Sequence, residues 1–330
     1  MLSSTPAVRE TVRMALDPAT FGPISESLRR DLLLHCYRFT GSVQEAEDLV
    51  QETLARAWRG RAGYRGEAGL RTWLHRIATR AGLDAIRRQR RRTLPSALEP
   101  GHAGEVLWLE PMPDDLLADA AADPAAAYEL RESVSLAFLT ALQLLPPRQR
   151  AVLLLRDVLA LRASEVADLL QVSVSGVNSL LHRARRTMRH NYVRPATVVS
   201  PNPRTARLLQ RYIAAWEAGD IDALLATLKA DALLEMPPIP SVSAGHAAIR
   251  DFLSPGILDG RPDRWRGMPT TANGGPAVAL YRRDEGRYRF TGLQLLAADD
   301  GDRIGRVTAY MDPQLAGRFR LPGELAVHPA

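Results

Sequence analysis

The 330-residue chain has one cysteine, Cys36, and one lysine, Lys229. A single thiol excludes a disulfide within the chain and a cysteine-built zinc site. Cys36 sits among helical apolar residues, where a small core side chain is expected. The seven histidines are scattered, and none falls in an HxxxH or His-Cys pattern, so neither a metal nor another cofactor is expected. No apolar run reaches the ~18 residues that a membrane span needs. The first residues are polar and charged and lack the apolar core of an export signal. The expected location is therefore the cytoplasm, with no membrane partner.

What is abundant is arginine, which supplies all but one of the 43 basic residues against 37 acidic ones, for a net charge of +6. The charge is unevenly placed. Residues 70–92 hold eight arginines and one acid, Asp84, and residues 182–190 hold four arginines and no acid. Between them, residues 99–132 carry nine acids, one arginine and the prolines 100, 111, 113 and 124. Clustered guanidinium groups favour a polyanion such as nucleic acid.

From Ile24 to Arg92 apolar residues recur at helical spacing: Leu28, Leu32, Leu33 and Cys36 form one stripe, and Val50, Leu54, Ala57 and Trp58 another. Gly41-Ser42 and the stretch from Gly60 to Gly69 break the pattern. Residues 99–132 read as an extended acidic linker with short helical turns. Helices return from Pro124 to Arg189, and Tyr192 to Pro203, with three prolines, reads as a second linker. Further on, an amphipathic helix over Leu208–Ala226 breaks at Gly219-Asp220, where Asp220 is placed to cap a second helix. A short helix is expected at 244–253, then strands at 277–282, 287–296 and 303–311. Helices followed by strands indicate a separate α+β domain.

On the 70–92 helix, Trp73, Arg76, Arg80, Arg87 and Arg91 share one arc, opposite Leu70, Leu74, Ile77, Ala78, Ala81 and Ala85. The arginines suit phosphates through their planar donor fork, or form a solvated charged face. Trp73 is either core or a platform for an unpaired base. Upstream, Glu47, Asp48, Gln51 and Glu52 make an acidic patch that repels DNA and fits a basic protein partner, or ordinary helix surface. Farther along, LPPRQRAVLLLRDVL (145–159), ASEVADLL (163–170) and VSGVNSLLHRARRTMR after Ser173 have helix-turn-helix spacing. In the last helix Val174, Val177, Leu180, Leu181, Ala184 and Met188 are the expected core face. Ser175, Asn178, His182, Arg186 and Arg189 fall on the other face, free for a major groove.

AEDLVQETLARAW (46–58) with YRGEAGLRTWLHRIA (64–78) resembles region 2 of the extracytoplasmic-function (group 4) RNA polymerase sigma factors. The helix-turn-helix resembles their region 4. RYIAAWEAGDIDALLATLKADALLEMPP (211–238) and RIGRVTAYMDP (303–313) resemble the opening and final strand of the SnoaL-like fold. The resemblance implies a multidomain chain: two all-α helical domains and a C-terminal α+β cone-shaped domain. The expected bounds are 22–93 for region 2, 94–123 for the acidic linker, 124–191 for region 4, 192–204 for a second linker and 205–325 for the SnoaL-like domain.

By the same resemblance, Glu47, Asp48, Gln51 and Glu52 contact core polymerase at the β′ clamp coiled coil, and region 4 meets the β flap. Tyr64, Arg65, Gly66, Trp73, Arg76, Arg80 and Arg87 face the −10 element. Ser175, Asn178, Ser179, His182, Arg183 and Arg186 face the −35 element. Three positions depart from the family pattern: Arg80 where Asn is common, Gln171 where Gly is common in the turn, and Arg162 where a Ser cap is frequent. The implied function is a sigma factor modulated by its C-terminal domain, with promoter DNA and core polymerase as partners and room for a small-molecule or protein ligand on that domain. The alternative is a ligand-responsive helix-turn-helix regulator that acts without joining polymerase. An enzymatic reading would rest on Asp231, Glu235, His246 and Tyr310, whose spacing demands no catalysis, so no enzyme is expected.

Overall fold

The computed structural model describes residues 18–66, 69–88, 108–117, 124–192, 203–299 and 302–326. The first helices among the described residues are α1 (Pro18–Thr40), α2 (Val43–Gly60) and α3 (Leu70–Arg88). Their apolar stripes meet in one core that includes Leu32, Cys36, Tyr37, Val50, Ala57, Leu74 and Ala78. Cys36 is fully buried, and burial pushes its thiol up to about 12, so it is an inert core residue. Ser42 ends the Gly41 break by accepting the Glu45 amide at 3.2 Å, which starts α2.

Residues 108–117 are not the extended solvated linker that their acids and prolines suggest. Leu109, Met112 and Leu117 are buried in the same core as α1–α3, and a short helical turn runs over Asp114–Leu116. Burial of these apolar side chains outweighs the acidic composition here. Residues 94–107 and 118–123 of the acidic stretch, residues 193–202 of the second linker and Arg91 lie outside the described residues.

The next helices are α4 (Pro124–Glu132), α5 (Leu136–Gln143), α6 (Pro147–Leu153), α7 (Ala163–Leu170) and α8 (Val174–Asn191), with a wider π-type turn over Leu154–Val158. Gln171 takes the left-handed conformation between α7 and α8 (φ 53°, ψ 52°), at the position where the missing glycine predicts a cost. Ser173 caps α8 by accepting the Gly176 amide at 3.1 Å. Val177, Leu181, Ala184 and Met188 are buried as expected, but Val174 is 45% exposed. It occupies the first helical position, before α8 reaches the shared core, so the expected core face begins one turn later. That core also holds Phe39 of α1 and Leu83 of α3.

The C-terminal part contains α9 (Pro203–Ala218), α10 (Ile221–Ala226), β1 (Leu228–Met236), β2 (Ile239–Ala244), α11 (Gly245–Leu253), β3 (Trp265–Ala272), β4 (Gly275–Asp284), β5 (Arg287–Asp299), β6 (Arg303–Tyr310), α12 (Leu315–Arg318) and β7 (Glu324–Ala326). Asp220 caps α10, its carboxylate accepting the Ala223 amide at 2.9 Å. Among the described residues the strands form one sheet in the order β2-β1-β6-β5-β4-β3, with β7 on β5. Neighbours are antiparallel except β1 and β6. The expected strands fall within β4, β5 and β6, whereas β1, β2, β3 and β7 were not anticipated. One face of the sheet, with Leu234, Val278, Leu296 and Val307, packs against α9, α10 and α11. The other face, with Ala277, Leu293, Leu295 and Tyr310, packs against α12 and reaches Leu136 of α5.

Candidate functional site

Three surfaces and one junction stand out. On α2, Glu47, Asp48 and Gln51 are exposed along one face, and Glu52 is half-buried and ion-paired with Arg56 one turn on. The buried residues Ala46, Leu49, Val50 and Thr53 hold the opposite face to the core. The helix therefore presents a rigid carboxylate row to solvent.

Tyr64, in the loop before α3, and Trp73 of α3 meet as tilted rings with centroids 5.1 Å apart, and both are half-buried against the core. The Trp73 ring packs against the core, as one of the two sequence readings has it, and lies beside Tyr64 of the 64–66 loop. Arg65 and Gly66 are exposed, and Gly66 has φ +70°. Arg80 and Arg87 are exposed, Arg87 with Asp84 at 3.5 Å. Arg76 points to α7, where Glu165 lies 3.6 Å away. Glu165 also accepts the Arg162 amide at 2.9 Å, which caps α7 without the usual serine.

On α8, Ser175, Asn178, Ser179, His182, Arg183 and Arg186 are all exposed on one face. Arg185 is turned aside into a bidentate pair with Asp157 at 2.7 and 3.0 Å. The face offers amide, hydroxyl and imidazole groups near the helix start and guanidinium groups later, the order in which base edges and then phosphates are met.

The junction joins the C-terminal domain to the first helices. The β3–β4 turn ends in Asn273-Gly274, both with positive φ (53° and 73°), the conformation of a tight hairpin turn. Asn273 is buried. Its Oδ1 accepts the Met112 amide at 2.9 Å, and its Nδ2 donates to Tyr37 Oη and to Val134 O, each at 2.8 Å. Its amide donates to Met112 O at 2.9 Å. Gly274 N donates to Asp114 Oδ1 at 2.8 Å, and a Cβ on Gly274 would lie 2.7 Å from Arg131 Cβ. Burial pushes the Asp114 carboxyl up to about 6, against the Gly274 hydrogen bond that lowers it.

Glu110 gathers a second set of contacts. Its carboxylate accepts Ser42 Oγ (2.8 Å) and the Val43 amide (3.1 Å) at the start of α2, where negative charge suits the helix dipole. Arg318 of α12 donates to the same carboxylate at 3.2 Å. The α12 helix is thereby tied to the N-terminus of the acidic α2 helix. None of Glu110, Asn273 and Arg318 was singled out from sequence. The Asn-Gly pair between two apolar runs was the available signal for the turn.

Residues 24–92 match the Sigma-70 region 2 family, residues 135–188 the Sigma-70 region 4 family, and residues 209–307 the SnoaL-like domain family. The chain is 45% identical over 318 residues to the ECF RNA polymerase sigma factor SigG of Mycobacterium tuberculosis, covering 92% of this chain and 85% of that one. The chain belongs to the ECF RNA polymerase sigma factors. It is also 34% identical over 209 residues to SigJ of the same organism (62% of this chain, 61% of that one). With SigW of Bacillus subtilis it shares 28% over 173 residues (52% and 89%). The crystal structure of M. tuberculosis SigJ has the same fold, with TM-score 0.59 at 24% identity over 91% of this chain and 99% of that one.

As a sigma factor, the protein binds core RNA polymerase and promoter DNA and directs promoter-specific initiation. The reading as a regulator independent of polymerase is set aside. Among the residues considered for catalysis, Asp231 is exposed in strand β1. His246 lies 3.4 Å from Leu228 O. Glu235 is fully buried, accepting Arg306 at 2.8 Å and Thr308 at 3.4 Å. Tyr310 is buried near Tyr37, Glu235 and Glu110, and burial first, then these neighbours, raises its hydroxyl well above the ordinary range. Glu235 and Tyr310 lie on the sheet face turned away from α9–α11, so the four do not converge on the domain's helix-lined interior. Among the described residues no cluster of His, Cys, Asp and Glu suits a metal, and no helix is long and apolar enough to cross a membrane.

Proposed function

We propose that this sigma factor is held in a closed, promoter-incompetent form by its C-terminal domain, and that opening exposes the two DNA-reading helices at their working separation. In the open form α2 meets the β′ clamp coiled coil through Glu47, Asp48, Gln51 and Glu52. The 64–66 loop with Trp73, Arg76, Arg80 and Arg87 meets melted −10 DNA. The α8 face from Ser175 to Arg186 meets the −35 element, with region 4 against the β flap. The protein works beside polymerase in the cytoplasm, and its SnoaL-like domain regulates and does not catalyse.

The observation that carries this reading is the Arg76–Glu165 contact at 3.6 Å, which sets the −10 helix directly against region 4. Promoter elements about 25 base pairs apart are about 85 Å apart along B-DNA. The two helices cannot reach both while α3 and α7 touch. The Asn273 turn and the Arg318–Glu110 pair fasten the C-terminal domain to the same closed body.

The polymerase assignment has its own test. Asp48→Arg with Glu52→Arg, the second of which also breaks the Glu52–Arg56 pair, is expected to weaken binding of the full chain to core polymerase by about tenfold or more. Helix content should not change. Unchanged affinity would remove α2 from the polymerase interface.

A further inference from the structure

A cleft of about 810 Å³ lies between regions 2 and 4. Its apolar floor includes Phe138, Leu153, Met188 and Tyr192, and charged residues of α1, α3, α4, the Leu154–Val158 turn and α8 line the rest. The volume is that of a small-molecule site.

The wall holds an uncompensated charge. Arg38 of α1 is 4% exposed, and its guanidinium donates to Ser133 O (3.2 Å) and Ser133 Oγ, both uncharged. Among the described residues no carboxylate lies within ion-pair distance of it. Asp31 acts on it only from farther away and is itself held by Arg71 at 2.8 Å. Burial accordingly pulls Arg38 down to about 10. Burying a guanidinium without a counter-ion is costly. A second cation, Arg189 of α8, lines the same cleft, exposed and without a partner among the described residues. The acids of the cleft do not fill this role: Asp157 is held by Arg185 at 2.7 Å, Glu132 accepts the Tyr192 hydroxyl at 2.8 Å, and Glu129 is exposed.

We infer that this cleft binds a small amphipathic anion, with its apolar body on the Phe138–Met188 floor and its carboxylate or phosphate between Arg38 and Arg189. Arg38 belongs to region 2 and Arg189 to region 4, so both reach the anion only while the two regions are packed together. Such a ligand binds the closed form and stabilises it by mass action. It would therefore act as a corepressor. That consequence rests on the closed-form reading above, whereas the binding itself does not.

Calorimetric titration of the full-length protein, without polymerase or promoter, tests the binding separately from the transcription reading. The probes are octyl phosphate, octanoate and octanol. One octyl anion per chain is expected, with octanol weaker by about tenfold or more; the tighter of the two anions identifies the head group. Arg189→Ala, at an exposed position that leaves folding intact, and Arg38→Lys, checked for folding by denaturation, should each weaken the anion by a similar factor. Failure of both anions to bind, equal binding of octanol, or affinity unchanged in both variants would overturn the site.

Discussion

Region 4 and the C-terminal domain both lean on region 2, by unlike means. Region 4 does so through a continuous apolar core: Phe39 and Leu83 sit in one cluster with Leu142, Leu145, Val152 and Leu181. At its centre the Arg150 guanidinium, 2% exposed, donates to Phe39 O (2.6 Å), Gln143 Oε1 (2.8 Å) and Gln143 O (2.9 Å). The C-terminal domain has an apolar contact through Leu136, but its register is set by directional bonds from Asn273, Gly274 and Arg318. Apolar burial is spread over many atoms and tolerates small shifts, whereas a hairpin tip with three side-chain hydrogen bonds is either seated or not. On the closed-form proposal, the second junction is the one that releases.

The largest expected effect breaks the first junction. Arg150→Met removes a buried donor that serves Phe39 O, both Gln143 oxygens and Leu145 O and leaves them unmet. The expected cost is about 3–5 kcal/mol in chemical denaturation. A loss near zero would mean that the apolar cluster alone seats region 4.

A middle effect separates the junctions by pH. Burial in the folded protein raises the Asp114 carboxyl from 3.8 to about 6. Its contribution to the stability of the folded junction is therefore complete below pH 3.8 and is lost as pH rises through about 6. Region 2 has the opposite sign. Burial first, with charged neighbours, lowers His35 and His75, so their contribution is complete above pH 6.5 and is lost as pH falls. The two are distinguished locally: exchange protection of the Gly274 amide should fall between pH 4 and 6 and level off above. In Asp114→Asn, which keeps the acceptor, that slope should vanish. A slope that survives the substitution would refute the role of Asp114.

The smallest effect concerns the Arg76–Glu165 pair, whose side chains remain about a third exposed (29% and 32%). Solvent screening limits such a pair to about 0–1 kcal/mol. A double-mutant cycle on Arg76→Ala and Glu165→Ala should give a coupling in that range, so the contact reports the closed form without causing it. A coupling well above it would make the pair a fastening in its own right.

Caps and faces were legible because they are local. Asp220 and Ser173 each bond an amide three residues on, and the polar face of α8 follows from helical spacing alone. Arg150, Asn273 and Glu110 were not legible because their partners lie far along the chain: 111 residues from Arg150 to Phe39 and 236 from Asn273 to Tyr37. Residues 108–117 misled because proline and acid content describes the average of a stretch. The few side chains that matter there, Leu109 and Met112, find a groove formed by other helices. Strand β1 was hidden for a related reason: the half-buried Lys229 and the exposed Asp231 mask an alternation whose buried members are Leu228, Ala232 and Leu234.

The central claim is that the seated Asn273 turn keeps the sigma factor closed. Asn273→Gly retains the positive φ and removes the three side-chain bonds to Met112, Tyr37 and Val134. Transcription from a cognate promoter with core polymerase should rise in this variant toward the yield of a chain ending near Ser200, and both should exceed the full-length protein. Equal or lower yield from Asn273→Gly and from the shortened chain would contradict the account.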